Sequence, residues 1–187
     1  ADAFDNAIRI LLAAGGSTNA IIHLIAIAGR AGIRLDLDRF NELSESTPVI
    51  VNLKPGGKYL MEDLFYAGGV EAVLKKMSGL LNLNCSTVTG HSLGDNIADA
   101  ECHDDDVVLS TESPLAPEGG LTILKGSLAP DGAVIKHIAA SPELMKHTGR
   151  AVVFENSIDL KQRIDDPDLD VTKDDILVMK GAGPIGG

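Results

Sequence analysis

The hydrophobic period of this chain changes near residue 85, and that change limits the folds open to it. Before it, apolar residues recur at helical spacing. After it, they come in short β-branched runs bounded by Gly, Pro, Asp and Ser, the pattern of strands joined by turns. An α/β class is expected, with α+β character over these 187 residues.

In the first part, Ala3, Phe4, Ala7, Ile8, Leu11 and Leu12 predict an amphipathic helix over 2–13, stopped by Gly15-Gly16. Ser17, Thr18 and Asn19 precede a second helix, 20–30, and any of the three can cap it through a side-chain oxygen. That helix is apolar nearly all round, which implies burial on several sides, and Gly32 ends it. A short helix over 36–43 is expected to be capped by Asp36. Thr47-Pro48 breaks it, and Val49 to Val51 reads as a strand. Residues 61–77 read as one long helix with Gly68-Gly69 inside it, so a kink or a close packing contact is expected there.

In the second part, Cys85 to Thr89 and Val107 to Ser110 read as strands. Residues 119–136, GGLTILKGSLAPDGAVIK, read as two strands joined by a turn at Pro130-Asp131-Gly132. Ala151 to Glu155 is a strand, 157–164 a helix capped by Asn156 or Ser157, and Ile176 to Met179 the last strand. The acidic stretch 99–106 is the natural linker. The chain opens on ADAFDN and closes on GPIGG, and both ends read as cut, so a piece of a longer protein is expected.

Aromatic residues make up only 3% of the chain and Trp is absent, so the core must be aliphatic. A net charge of −11 argues against nucleic acid and against an anionic membrane surface as partners. No apolar run approaches the roughly 18 residues of a membrane span. Two cysteines, Cys85 and Cys102, are too few for a disulfide framework, and a reducing cytoplasm is the expected setting.

Gly15 to Asn19 is a glycine turn feeding a helix N-terminus, which presents free N–H groups and the positive end of the helix dipole. Plain capping and a carboxylate or phosphate site are both open readings, and the GK[ST] ending of a P-loop is absent. His103-Asp104-Asp105-Asp106 offers oxygen ligands for Mg²⁺ or Ca²⁺ but lacks the alternation of a calcium loop; a solvated acidic loop is the simpler reading. Cys85, His91, Cys102 and His103 have zinc-ligand chemistry without paired spacing, so no zinc site is expected. His23 reads as a satisfied core histidine, and Lys54 and Lys58 as solvated loop lysines.

Four stretches in the same order resemble one family of iron–sulfur dehydratases, which contains dihydroxy-acid, 6-phosphogluconate and aldonic-acid (pentonate) dehydratases. They are GGSTNAIIHLIAIAGRAGI (15–33), PGGKYLMEDLFYAGGVEAV (55–73), GGLTILKGSLAPDGAVIK (119–136) and GRAVVFENSIDLKQRI through DDILVMKGAGPIGG (149–187). TVTGHSLGDNI (87–97) is similar to a fifth family segment. One departure is Ser127, where much of the family has Asn.

The resemblance implies that residues 1–84 are the C-terminal helical part of a cluster-bearing α/β/α domain. It implies that 85–187 are most of a swivelling β-barrel domain. The implied reaction removes water from a 2,3-dihydroxy carboxylate, with an iron–sulfur cluster and Mg²⁺ in the full-length enzyme. A serine base completes it, and an enol tautomerises to the 2-keto acid. The family's cysteine motif, metal-binding glutamate and catalytic serine motif are not among these residues. No catalytic, cofactor-binding or metal-binding residue is therefore assigned, and no cofactor is expected on this chain alone. Ser17, Thr18 and Asn19 are the expected substrate-binding residues. KYLMEDLFYAGG looks closer to the sugar-acid branch, so a pentonate-type aldonate is the expected substrate. Dihydroxy-acid dehydratase of branched-chain amino-acid biosynthesis is the alternative, and a non-catalytic binding or regulatory barrel the alternative of another class. A cytoplasmic homo-oligomer is implied by analogy.

Overall fold

The computed structural model describes residues 2–182; the expectation on the terminal GPIGG lies outside them. The chain divides into two compact units, Ala1–Ala140 and Ser141–Gly187. The helices are α1 (Asp2–Ala13), α2 (Asn19–Arg30), α3 (Asp38–Ser44), α4 (Met61–Tyr66), α5 (Gly69–Lys76), α6 (Leu93–Asn96) and α7 (Ser157–Arg163). The strands are β1 (Thr122–Leu124), β2 (Ala133–Ile135), β3 (Ala151–Phe154) and β4 (Ile176–Met179).

In the first unit α1 serves two apolar clusters at once. Ile8, Leu11 and Leu12 face Ile21, Phe40, Leu43, Leu121 and Ile123, while Ala13 joins Ile50, Val51, Leu64, Val73, Met77 and Val108. Full burial of each such aliphatic side chain contributes roughly 1.5–3 kcal/mol. The expected hairpin forms: β1 and β2 are antiparallel, with Thr122 opposite Ile135 and Leu124 opposite Ala133.

Three asparagine side chains tie distant segments together by pairing with backbone. Asn6 accepts from Asn82 N (2.8 Å) and donates to its carbonyl (2.9 Å). Asn41 does the same for Ile123 of β1, and Asn52 links Lys58 N to the Asp106 carbonyl. A primary amide carries both a donor and an acceptor, so it can stand in for a neighbouring peptide.

Several expectations are corrected. The 61–77 helix is two helices, because Gly68 (φ +110°) and Gly69 (φ +64°) both leave the right-handed region. Asp36 does not cap α3; Leu37 occupies that position, and the Asp36 carboxylate pairs with Arg34 at 2.9 Å. Val49–Val51 and Val107–Ser110 are not strands but single bridges, Val49 to Ala116 and Val51 to Val108. Cys85–Thr89 is turn-rich, with one bridge from Ser86 to Ser92. The acidic stretch 99–106 is not a free linker: His103 N bonds the Ala67 carbonyl and Lys76 holds Asp105.

The second unit is a parallel pair, β3 beside β4, with Ala151 opposite Ile176 and Phe154 opposite Met179, joined through α7. Parallel strands need such a crossover. Asn156 caps α7 as expected, its Oδ1 accepting from Ile158 N (2.9 Å) and Asp159 N (3.0 Å). The Arg163 guanidinium lies 4.9 Å from the centre of the buried Phe154 ring. Among the described residues the strands form two separate two-stranded sheets and no closed barrel. The structure thus shows mixed helix and small sheets, consistent with α/β.

Candidate functional site

The expected substrate turn is set by the way α1 ends. Gly16 N bonds the Leu11 carbonyl (2.9 Å) and Gly15 N the Leu12 carbonyl (3.1 Å), with Gly15 at φ +52°. This paired closure satisfies two terminal carbonyls and requires a left-handed residue at Gly15. The chain then reverses into α2 through Ser17 and Thr18.

Only one of the three candidate side chains takes a backbone proton: Ser17 Oγ accepts from Asn19 N at 3.3 Å. Thr18 occupies the cap position with helical angles and makes no side-chain capping bond. Ser17 and Asn19 are exposed and Thr18 is half-buried. The N–H groups of the first turn are nonetheless taken: Asn19 N by Ser17 Oγ, Ala20 N by the Ser17 carbonyl (3.1 Å) and Ile21 N by the Thr18 carbonyl (3.3 Å).

Thr18 and Asn19 stand at one end of a cleft of about 440 Å³. Its other walls are Ile21, Ile22, Ile25 and Leu37, with Gly132 to Val134 of the hairpin opposite. Sequence reading singled out the helix start and the hairpin elbow separately; the structure brings them to one cleft. Leu37 and Val134 were not singled out; both pack against the cluster that includes Ile21, and Val134 pairs with Ile123, which Asn41 holds. No ionisable side chain lines this cleft among the described residues. Such a cleft can bind an organic acid through the Thr18 hydroxyl and the Asn19 amide, but its lining holds no proton-transfer group.

A larger cleft of about 1120 Å³ lies against α3 and the 33–37 segment. Its cations are already matched: Arg39 with Asp5 (2.6 Å) and Glu42 (2.8 Å), Arg34 with Asp36 (2.9 Å), Lys125 with Asp38 (2.5 Å). The hydrogen bonds that Arg39 donates to Asp5 and Glu42 raise its pKa further.

The metal candidates are used internally. Asp104 Oδ1 accepts from Asp106 N (2.9 Å), and the Lys76 ammonium holds the Asp105 carboxyl below its usual range. Cys85 and Cys102 are free thiols; Cys102 Sγ lies 3.4 Å from the Asp104 carbonyl. Among the described residues no three His, Cys, Asp or Glu side chains converge as a metal site. The described residues do not fit an iron–sulfur cluster or Mg²⁺.

His23 is corrected: it is exposed on α2 rather than buried. The same helix buries Ile21 and Ala28 but leaves Ile22 at 51% and Ile27 at 58% exposure, so the expected all-round burial does not occur. Lys54 and Lys58 are exposed loop residues. Among the described residues no helix is long and apolar enough to cross a membrane.

Comparison with known proteins covers nearly the whole chain. The dihydroxy-acid/6-phosphogluconate dehydratase N-terminal model matches residues 1–96 and the C-terminal model of the same name matches 106–187. The L-arabinonate dehydratase of Rhizobium leguminosarum bv. trifolii is 52% identical over 186 residues, covering 98% of this chain and 32% of that protein. The 6-deoxy-6-sulfo-D-gluconate dehydratase of Pseudomonas putida is 47% identical, covering 97% and 32%. The dihydroxy-acid dehydratase of Caldicellulosiruptor saccharolyticus is 46% identical, covering 100% and 34%. The chain spans about a third of the length of these relatives.

Proposed function

The chain belongs to the dihydroxy-acid/6-phosphogluconate dehydratase family, and from that membership we propose that its complete polypeptide dehydrates a sugar acid to a 2-keto-3-deoxy acid. A pentonate is the first candidate. The observation that carries this is the ordering of the relatives compared: two arabinonate-type dehydratases are 52% and 50% identical, four dihydroxy-acid dehydratases 46% to 43%.

Within that reaction Ser17, Thr18 and Asn19 receive the substrate carboxylate at the start of α2. The hydroxyl and amide groups donate, and the helix dipole favours the negative charge by roughly 0.3–1 kcal/mol. The iron–sulfur cluster and Mg²⁺ of the proposed enzyme would supply Lewis acidity toward the leaving hydroxyl, held by residues outside this chain. Residues 1–84 are proposed as the end of the cluster-bearing domain and 85–187 as most of a swivelling barrel. A cytoplasmic homo-oligomer completes the proposal.

One observation favours a second substrate. The cleft beside Thr18 is walled by Ile21, Ile22, Ile25, Leu37 and Val134, which suits the branched aliphatic tail of a dihydroxy-acid better than a polyol. The deciding experiment is turnover by the complete polypeptide of an aldonate panel beside 2,3-dihydroxyisovalerate. Turnover of aldonates supports the sugar-acid reading. Turnover of the branched acid alone replaces it, and turnover of neither leaves a binding module.

A further inference from the structure

Three turns far apart in the sequence close on one side chain. A Cβ added at Gly15 would lie 3.4 Å from Ile138 Cγ2, and one at Gly120 would lie 3.2 Å from the same atom. One at Gly56 would lie 3.0 Å from Ile138 Cγ1 and 3.1 Å from Cγ2. These glycines belong to the GGSTN turn, the KPGGK loop and the approach to β1. Gly120 also donates its N–H to the Leu12 carbonyl (3.0 Å), in the last turn of α1.

Ile138 is itself held from behind. It is the middle of a short 3₁₀ turn, His137–Ala139, in which Ala139 N bonds the Lys136 carbonyl and Ala140 N the His137 carbonyl. The preceding His137 Nδ1 lies 2.9 Å from Thr122 Oγ1 on β1. The γ carbons of Ile138 thus occupy the space that side chains at Gly15, Gly56 and Gly120 would enter.

We propose that Ile138 is a positioning residue for the Ser17–Asn19 turn, acting through Gly15. The proposal rests on the reading that this turn meets the substrate carboxylate. The physical basis is that glycine has no side chain with which to refill space. Removing the γ carbons leaves a void bounded by three permissive backbones, and the turn, whose Gly15 keeps its hydrogen bond to the Leu12 carbonyl, loses the filling beside that first residue.

Two measurements test it. In the full chain, Ile138→Ala is expected to speed amide exchange about tenfold at both 17–19 and 56–58, with α3 amides unchanged. In the complete polypeptide it is expected to raise KM for the acid about tenfold with kcat within about twofold, because binding groups shift while chemistry is elsewhere. Ile138→Val keeps both γ carbons and is expected to restore KM. A purely structural role would instead lower the melting temperature and the active fraction, leaving KM where it was, and that result overturns the proposal.

Gly56→Ala covers the case in which Ile138→Ala does not fold. It pushes on Ile138 from the far side and is expected to disturb exchange at 17–19, two turns away in contact. Exchange altered only at 54–58 overturns the proposal. Thr18→Ala separates the two layers of inference. If it leaves KM unchanged, the assignment of the turn to substrate fails, and the positioning role fails with it. If it raises KM while Ile138→Ala does not, the positioning role alone fails.

Discussion

Asn41 of α3 and Ile123 of β1 exchange two hydrogen bonds: Asn41 Oδ1 accepts from Ile123 N at 2.8 Å, and Asn41 Nδ2 donates to the Ile123 carbonyl at 3.0 Å. Ile123 pairs with Val134 of β2, and its side chain is buried. A two-stranded sheet is marginal alone, and here a helix supplies what a third strand would. Asn41→Ala leaves a backbone donor and acceptor unmet and is expected to cost about 2–3 kcal/mol. Asn41→Asp keeps the acceptor and is expected to fall between. Urea unfolding midpoints decide; an alanine variant as stable as wild type refutes the clamp.

The glycine pair between α4 and α5 makes a sharper test because its members differ. At Gly68 a Cβ would overlap the Glu101 carbonyl oxygen and lie 2.9 Å from Ala72 Cβ; at Gly69 nothing lies within 4 Å. Gly69→Ala is therefore expected to cost only the left-handed penalty, about 1–2 kcal/mol. Gly68→Ala adds a backbone clash and is expected to cost roughly 3 kcal/mol or more. Equal destabilisation in thermal melts would show that the break is not held by Glu101.

In the second unit, Arg150 binds Asp170 (2.6 Å) and Asp175 (3.0 Å) and holds both carboxyls below their usual range. A lowered carboxylate pKa contributes stability that is complete above the unfolded value, about pH 4, and is lost as pH falls further. Exchange protection of 151–154 and 176–179 is expected to hold from neutral pH down to about pH 4 and then to decline. Arg150→Gln should lower protection at neutral pH and flatten the acid decline. An unchanged decline would place its cause elsewhere.

α2 carries Ile22, at the edge of the cleft, and Ile27 with more than half of each exposed. Their replacement by Gln removes no core contact, so stability should shift by no more than about 0.5 kcal/mol. Self-association of the 187-residue chain, read by light scattering, is expected to fall. Unchanged association would move its cause to another apolar surface, such as the exposed Phe65 and Tyr66.

Local signals made much of this legible. α1 matches the expected 2–13, α2 the expected helix to within a residue, and β3, α7 and β4 their predicted positions, because period, caps and turn glycines all act within a few residues. Failures came where distant partners decide. Val49 to Val51 has strand composition, but its partners Ala116 and Val108 each offer one bridge and no ladder. His23 was read as core because every neighbour is apolar, yet which side of α2 meets α1 is not written in the helix itself. The Ser17–Asn19 turn is visible in the sequence as a turn; its apolar cleft is not, since Leu37 and Val134 reach it through the packing of α3 and the hairpin on the α1–α2 cluster.

The asparagine clamps also set an order of events during synthesis. Asn6 waits for Asn82, Asn52 for Asp106 and Asn41 for Ile123. A ribosome making this chain releases α1, α2 and α3, which can already pack on one another, before Leu121 and Ile123 are there to complete their shared cluster. The nascent chain must carry those unfinished apolar faces until residue 123 has cleared the exit tunnel, and the first unit then locks late and together.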